Sequence, residues 1–188
     1  MLEHQAPSEL LHHTFSGLDA PGICIRPSLL AKRYLLLQSK ARSNLQDVLT
    51  SEIGLELPLP QEVRALGDHA LLWLTPAEWL LETPAKDAQS LQLAITGALV
   101  GSLAAVNDIS DAFVCCEVSG DCAPQVLMSG CSLDLNTHAF PAGRVARTAL
   151  ADIPVIIWKP APSECFRCLV DRSFACHFGD WLADAIRG

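Results

Sequence analysis

The chain is short of charge. Only 18% of its 188 residues are Asp, Glu, Lys or Arg, and 21 acidic residues outnumber 13 basic ones, for a formal net charge of −8. With no Lys/Arg cluster, neither nucleic acid nor an anionic membrane is expected as the main partner. A phosphate loop, a dinucleotide Gly-x-Gly-x-x-Gly and a carrier-lysine motif are missing, and Gly120, Gly130 and Gly143 are too scattered to cradle a pyrophosphate. Neither flavin nor nicotinamide is therefore expected on this chain. No Gly-x-Ser-x-Gly is present to supply a nucleophile, and no carboxylate pair is obvious for hydrolytic acid–base work. The first twenty residues carry Glu3, His4, Glu9, His12 and His13 where a secretory signal would have an apolar core, so a cytoplasmic protein is expected.

Apolar residues are abundant. They make up 50% of the chain, which predicts a generous core and, with so little charge, a surface partly covered by partners. The stretch Ala88 to Asn107 carries no charge, but Gln89, Ser90, Gln92, Thr96, Ser102 and Asn107 interrupt it, and it reads as a helix stopped near Gly101 rather than a membrane span. Eight cysteines would suggest disulfides in a short secreted chain. Here Cys115 and Cys116 are adjacent within a strand, and reduced thiols acting as small hydrophobes are expected.

Residues 1–20 read as a docking arm anchored by Leu10, Leu11 and Phe15, with a floppy terminus as the plain alternative. Strands follow at Gly22 to Arg26 and Arg33 to Gln38. Ser43-x-x-Gln46 has capping-box spacing before a helix with Leu45, Val48 and Leu49 on one face, and Gly54 stops it. Strands at Glu62 to Leu66 and His69 to Leu74 flank a Gly67-Asp68 turn. A strand around Trp79 to Leu81, a helix over Lys86 to Leu99 and a strand at Leu103 to Val106 complete a first half.

The second half repeats the pattern. Leu71-Leu72-Trp73 and Ile156-Ile157-Trp158 stand 85 positions apart, each followed by a proline turn, an apolar strand and a helix. Phe113 to Val118 forms a strand, and Val126 to Met128 lies in a short helix. A loop through Asp134 and Phe140 follows, Arg144 leads into another strand, and Cys165 to Val170 is the last. Ser173 is the expected cap of the final helix, with Phe174, Phe178, Trp181 and Leu182 on its packed face. The expected class is α+β: an arm over 1–20 and two pseudo-repeated halves, 21–107 and 108–188, each strand–helix–strands–helix, forming one compact unit.

Few residues suggest chemistry. Cys165-x-x-Cys168 is one knuckle where a structural zinc needs two, and strand alternation sends its thiols to opposite faces, so core packing is expected. His138 is displayed by a loop but has no nucleophile beside it to activate. Asp134 and Arg144 flank that loop and would rigidify it as a pair or contact a partner subunit or an anionic ligand. No catalytic, cofactor-binding or metal-binding residue is assigned; Leu10, Leu11, Phe15, Asp134, His138 and Arg144 are the candidate partner contacts.

The segments Val118-Ser119-Gly120, Ser129 to Leu150 (SGCSLDLNTHAFPAGRVARTAL), the strand ending in Trp158 and Asp171 to Leu182 (DRSFACHFGDWL) resemble the gamma subunits of heterotetrameric sarcosine oxidases. The resemblance runs from about Pro21 onward. It implies the fold of the folate-binding aminomethyltransferases of glycine cleavage, and assembly with alpha, beta and delta subunits that carry the FAD, FMN, NAD, zinc and folate. It also implies a complex that oxidises sarcosine to glycine and passes a one-carbon unit to tetrahydrofolate. The active aminomethyltransferases have consecutive acidic residues where this chain has Ile157-Trp158, which cannot accept a proton or hold a pterin amine. Ser129-Gly130-Cys131-Ser132 is only a fragment of the Lys-Gly-Cys-Tyr-x-Gly-Gln motif of iron–sulfur assembly relatives. A stand-alone folate-binding or one-carbon transfer protein is the alternative, and it would need Asp108, Asp111 or Asp152 as its carboxylate.

Overall fold

A computed structural model describes residues 14–28 and 32–187. The first strands among the described residues are β1 (Leu18–Ala20) and β2 (Ile23–Pro27). The chain continues through β3 (Lys32–Ser39), helix α1 (Arg42–Ile53), β4 (Val63–Leu66), β5 (His69–Thr75), β6 (Glu78–Pro84), α2 (Ala85–Ala98) and β7 (Ala104–Asp108). Then come β8 (Phe113–Ser119), α3 (Ala123–Met128), β9 (Val145–Leu150), β10 (Ile153–Trp158), β11 (Phe166–Asp171) and α4 (Ala175–Ala185).

Residues 32–110 make one compact unit. Its antiparallel sheet has the order β4-β5-β6-β3-β7. Alternation along β3 and β5 directs Leu35, Leu37 and Leu71 to one face, where they pack with Leu45 and Leu49 of α1 and Leu91 and Ile95 of α2. Gly54 ends α1 in the left-handed conformation, φ 68°, and returns its N–H to Thr50 O. The expected capping box is not used. Ala41 occupies the cap position with no side-chain bond, and Gln46 instead accepts the Leu57 N–H at 2.7 Å, tying the following loop to the helix.

Residues 14–28 and 111–187 make the other unit, a sheet ordered β1-β2-β8-β11-β10-β9. Val114, Cys116 and Val118 of β8 and Phe166, Cys168 and Val170 of β11 face a core completed by Leu127 of α3 and by Phe178 and Leu182 of α4. The cap before α4 is Asp171, whose Oδ1 accepts both the N–H and the hydroxyl of Ser173, so Ser173 is donor rather than cap. The 3-10 turn at Arg172–Phe174 rotates Phe174 outward to 39% exposure, off the packed face where helical spacing places it. Trp181 remains against the core, stacked on Phe178 at 5.9 Å.

The two sheets share one plan, with a difference at one end. β4-β5-β6-β3 matches β9-β10-β11-β8, but the strand beside β3 is β7, whereas the strand beside β8 is β2. β7 follows α2 in sequence; β2 comes from the start of the chain and pairs antiparallel with β8, Ile25 opposite Val118. The second repeat is thus permuted, and the expected halves 21–107 and 108–188 are corrected. Residues 23–27 belong with the later half. The physical reason is that β8 has a hydrogen-bonding side away from β11, and β2 covers it.

The arm expectation also changes. Leu10 and Leu11 lie outside the described residues. Phe15 is fully buried, edge-on to Phe178 at 6.1 Å, and Thr14 meets α4 where Gly179 leaves no room for a Cβ. Phe15 is a core residue of its own unit, not a partner contact. Burying a ring of that size contributes about 2–3 kcal/mol, which offsets the backbone entropy lost by ordering one or two residues.

Candidate functional site

The loop from Ser129 to Arg144 carries the remaining candidates. It leaves α3 beneath the indole of Trp181, which lies so close to Gly130 that a Cβ there would fall 2.4 Å from the ring. Leu135 and Phe140 plug it into the core, at 0% and 6% exposure. Between these plugs, Asp134 Oδ1 accepts the N–H of Asn136 at 3.0 Å and its side-chain amide at 2.7 Å. Asn136 O then accepts the N–H groups of Ala139 and Phe140 at 3.0 and 2.8 Å. Asp134 stiffens the loop through Asn136, a local Asx arrangement. His138 is exposed at the tip, and Arg144 is half-buried where the loop rejoins the sheet.

That junction holds a residue that sequence pattern did not single out. Gly143 N–H donates to Lys159 O at 2.7 Å, and Lys159 N–H donates to Arg144 O at 3.0 Å, so the end of the loop runs beside the residue after β10. The Lys159 side chain is 1% exposed. Its Nζ lies 2.5 Å from Glu164 Oε2 and 5.2 Å from the centre of the Phe166 ring, which itself sits 6.1 Å from Phe140. A buried cation is thus held by one carboxylate and one aromatic face. The signal for it was a lysine closing an apolar strand before a proline-rich turn, with a glutamate five residues on.

Glu164 is 73% exposed, so water keeps part of its solvation, while Lys159 has none to fall back on. Glu164→Gln is expected to destabilise the protein by about 2 kcal/mol, below the 3–5 kcal/mol of a fully buried pair. Lys159→Met, which removes the charge and keeps the packing, should stay within about 1 kcal/mol of the parent. Urea unfolding of both variants checks the contrast; equal losses would contradict it.

At the Ile157-Trp158 position, Ile157 faces the helices and Trp158 is fully buried, its indole N–H without a protein partner. The three candidate carboxylates lie elsewhere. Asp108 ends β7, 2.9 Å from Arg33 Nη2, with Ser110 donating N–H and hydroxyl to its other oxygen. Burial pulls its pKa upward, but the bonds from Ser110 and Arg33 outweigh it and hold the carboxyl below its ordinary 3.8. Asp111 is exposed in the turn before β8, and Asp152 occupies the β9–β10 hairpin turn at φ 64°. A hollow of about 200 Å³ borders β10, lined in part by Phe113, Arg147, Ile156 and Leu169. That is smaller than the 300–1,000 Å³ usual for cofactor sites. Asp171 also lines it, and its carboxylate bonds Ser173.

Cys24, Cys115, Cys116 and Cys168 lie in strands and Cys165 just before β11, whereas Cys122 and Cys176 are exposed at the start of α3 and on α4. Cys168 stands opposite Cys116 across β11 and β8, both buried, and the hydrogen bond between these thiols together with burial pushes Cys116 well above the ordinary thiol range. Burial pushes the Cys165 thiol up to about 11, so it is a thiol and not a thiolate at neutral pH. Among the described residues, no three His, Cys, Asp or Glu side chains gather as a metal-binding group. Among the same residues, no helix is long and apolar enough to cross a membrane.

Two sheets of this plan define an aminomethyltransferase-type fold. The crystal structure of glycine cleavage system aminomethyltransferase T from Bartonella henselae superposes with a TM-score of 0.63 at 15% identity, covering 94% of this chain and 48% of that one. The heterotetrameric sarcosine oxidase from Corynebacterium sp. U-96, solved in complex with pyrrole 2-carboxylate, contains a chain that matches at a TM-score of 0.85 and 28% identity, over 98% of this chain and 95% of that chain. The sarcosine oxidase gamma subunit family model matches residues 38–187. Gamma subunits of sarcosine oxidase from an Arthrobacter species and from Corynebacterium sp. strain P-1 are 36% and 34% identical over 132 residues, 68% of this chain. The match spans 64% of the length of these two relatives. The chain belongs to the sarcosine oxidase gamma subunit family.

Proposed function

We propose that this chain is a non-catalytic, architectural subunit of a cytoplasmic, heterotetrameric sarcosine oxidase, packed with its alpha, beta and delta subunits. The complex would oxidise the N-methyl group of sarcosine, releasing glycine and peroxide and passing the one-carbon unit to tetrahydrofolate. FAD, FMN, NAD, zinc and folate are assigned to the partner subunits. One observation carries the architectural reading: where the resemblance calls for consecutive acids, the strand presents Ile157 to the helices and a fully buried Trp158, and neither offers a proton acceptor. The exposed loop tip at Asp134 and His138 and the half-buried Arg144 remain candidate contacts with those subunits.

The test is co-expression with the other subunits from the same organism, followed by assay of sarcosine-dependent peroxide formation. The assembled complex is expected to be active, and this chain alone inactive and unshifted in thermal unfolding by tetrahydrofolate. A folate-dependent shift abolished by Asp108→Ala, Asp111→Ala or Asp152→Ala would favour the stand-alone folate-binding alternative.

A further inference from the structure

The two edges of the sheet in the 32–110 unit are built differently. At β4 the edge is guarded: Arg64 reaches Glu56 at 2.5 Å and Glu62 at 3.4 Å, placing three charges along it. Such charges are how soluble proteins keep an edge from recruiting another strand. At β7 the sequence is Ala104-Ala105-Val106-Asn107-Asp108, with no lysine, proline or bulge before its terminal aspartate.

The backbone of β7 is half unused. Lys40 N–H donates to Leu103 O, and Ile109 N–H donates to Tyr34 O. By antiparallel alternation the odd-numbered residues therefore bond β3, and Ala104, Val106 and Asp108 turn their main chain away from it. Ala104 N–H bonds Ser102 O, and the Gln92 amide reaches Val106 O at 3.3 Å. The N–H groups of Val106 and Asp108 face outward; Val106 borders a cleft of about 320 Å³ at Thr96 and Val100, and Ala104 and Ala105 border both that cleft and one of about 480 Å³ at Lys40 and Leu103.

The other unit shows what such an edge takes. β2, which holds the β7 position in the permuted repeat, is itself covered by β1, antiparallel and three residues long. Among the described residues, β7 has no counterpart of β1 in its sheet. Charge narrows the occupant further. The exposed apolar side chains beside β7 include Val100 and Leu103, at 81% and 77% exposure, within a stretch from Ala88 to Asn107 that carries no formal charge. Lys40 and Glu78 line the cleft at the Ala104 end of β7, and Asp108 closes the other end; along the uncharged stretch between them a charged segment would lose solvation without gaining a partner, whereas an uncharged one would not.

We propose that β7 and the adjoining end of α2 receive a short, uncharged, extended segment of another subunit of the oxidase complex, added antiparallel to β7 as β1 is added to β2. This rests on the assignment of the chain to such a complex. Strand addition supplies main-chain hydrogen bonds for affinity, with Val100 and Leu103 as the apolar contacts that select the segment.

Amide hydrogen exchange of the assembled complex, resolved to single residues, tests it. The outward amides of Val106 and Asp108 are expected to be protected as strongly as the β3-bonded amides of Ala105 and Asn107. Val106→Pro removes only an outward donor and spares the β3 ladder, and Leu103→Lys places a charge at the contact; each should weaken incorporation of the chain into the complex by about ten-fold. An assembled complex in which Val106 and Asp108 exchange at unprotected rates would overturn the proposal and leave the subunit assignment standing. Failure of the chain to join any complex would overturn both.

Discussion

Deleting residues 1–27 is expected to abolish cooperative folding of the unit built on residues 111–187. The deletion removes β1 and β2, exposes the β8 main chain, and strips Phe15, Ile23 and Ile25 from a core in which they are at most 6% exposed. Those three side chains alone account for about 6–8 kcal/mol of burial, comparable with the whole net stability of a small domain. The unit of residues 32–110 contains none of them and keeps its own core. Moving residues 14–28 behind α4 on a short flexible linker, the position that β7 holds after α2, should restore the fold. Near-ultraviolet circular dichroism and denaturant unfolding separate the cases: deletion gives a molten or insoluble product, and the permutant a cooperative one. A deletion variant that unfolds like the parent would show that the N-terminal strands are ornamental.

Gly120→Val is expected to cost about 3–4 kcal/mol, combining overpacking with backbone strain. At φ 106°, Gly120 lies in a region that side chains rarely adopt, and a Cβ there would come 2.3 Å from the carbonyl oxygen of Gly22. That oxygen also accepts the Cys122 N–H at 2.9 Å, so it cannot swing aside without losing a bond. The contact is where the start of β2 crosses the end of β8, which makes Gly120 a probe of the same strand donation. Gly97→Ala is the control. It sits in helix α2, where an added methyl group would meet nothing within 4 Å, and should be neutral or stabilising by up to about 1 kcal/mol. Urea midpoints of the two variants give the comparison directly.

Most elements could be read from local pattern. Ala70 to Leu74 is a short continuous apolar run between a Gly-Asp turn and a proline turn, and the Ala88, Leu91, Ile95 spacing in α2 is helical; the first forms a strand and the second a helix. What local pattern does not contain is which sheet a strand joins. β2 precedes β3 by a few residues yet pairs with β8, some ninety residues away, because the side of β8 away from β11 accepts it. Proximity in sequence therefore assigns it wrongly. The caps fail for a related reason: Ser43 and Ser173 have capping spacing, but Gln46 and Asp171 find better-placed backbone partners. In the loop, display of Asp134 and His138 is readable from composition, whereas the burial of Lys159 is not, since a lysine after a strand ordinarily points to water.

The central claim is that this chain acts as a structural member of an oxidase complex rather than as a free-standing protein. Affinity purification from its native host, with native mass and a visible absorbance spectrum of the product, tests it most directly. The account predicts a heterotetrameric mass and the yellow absorbance of flavin held by the partner subunits. A colourless species with the mass of this chain or its homo-oligomer would contradict it.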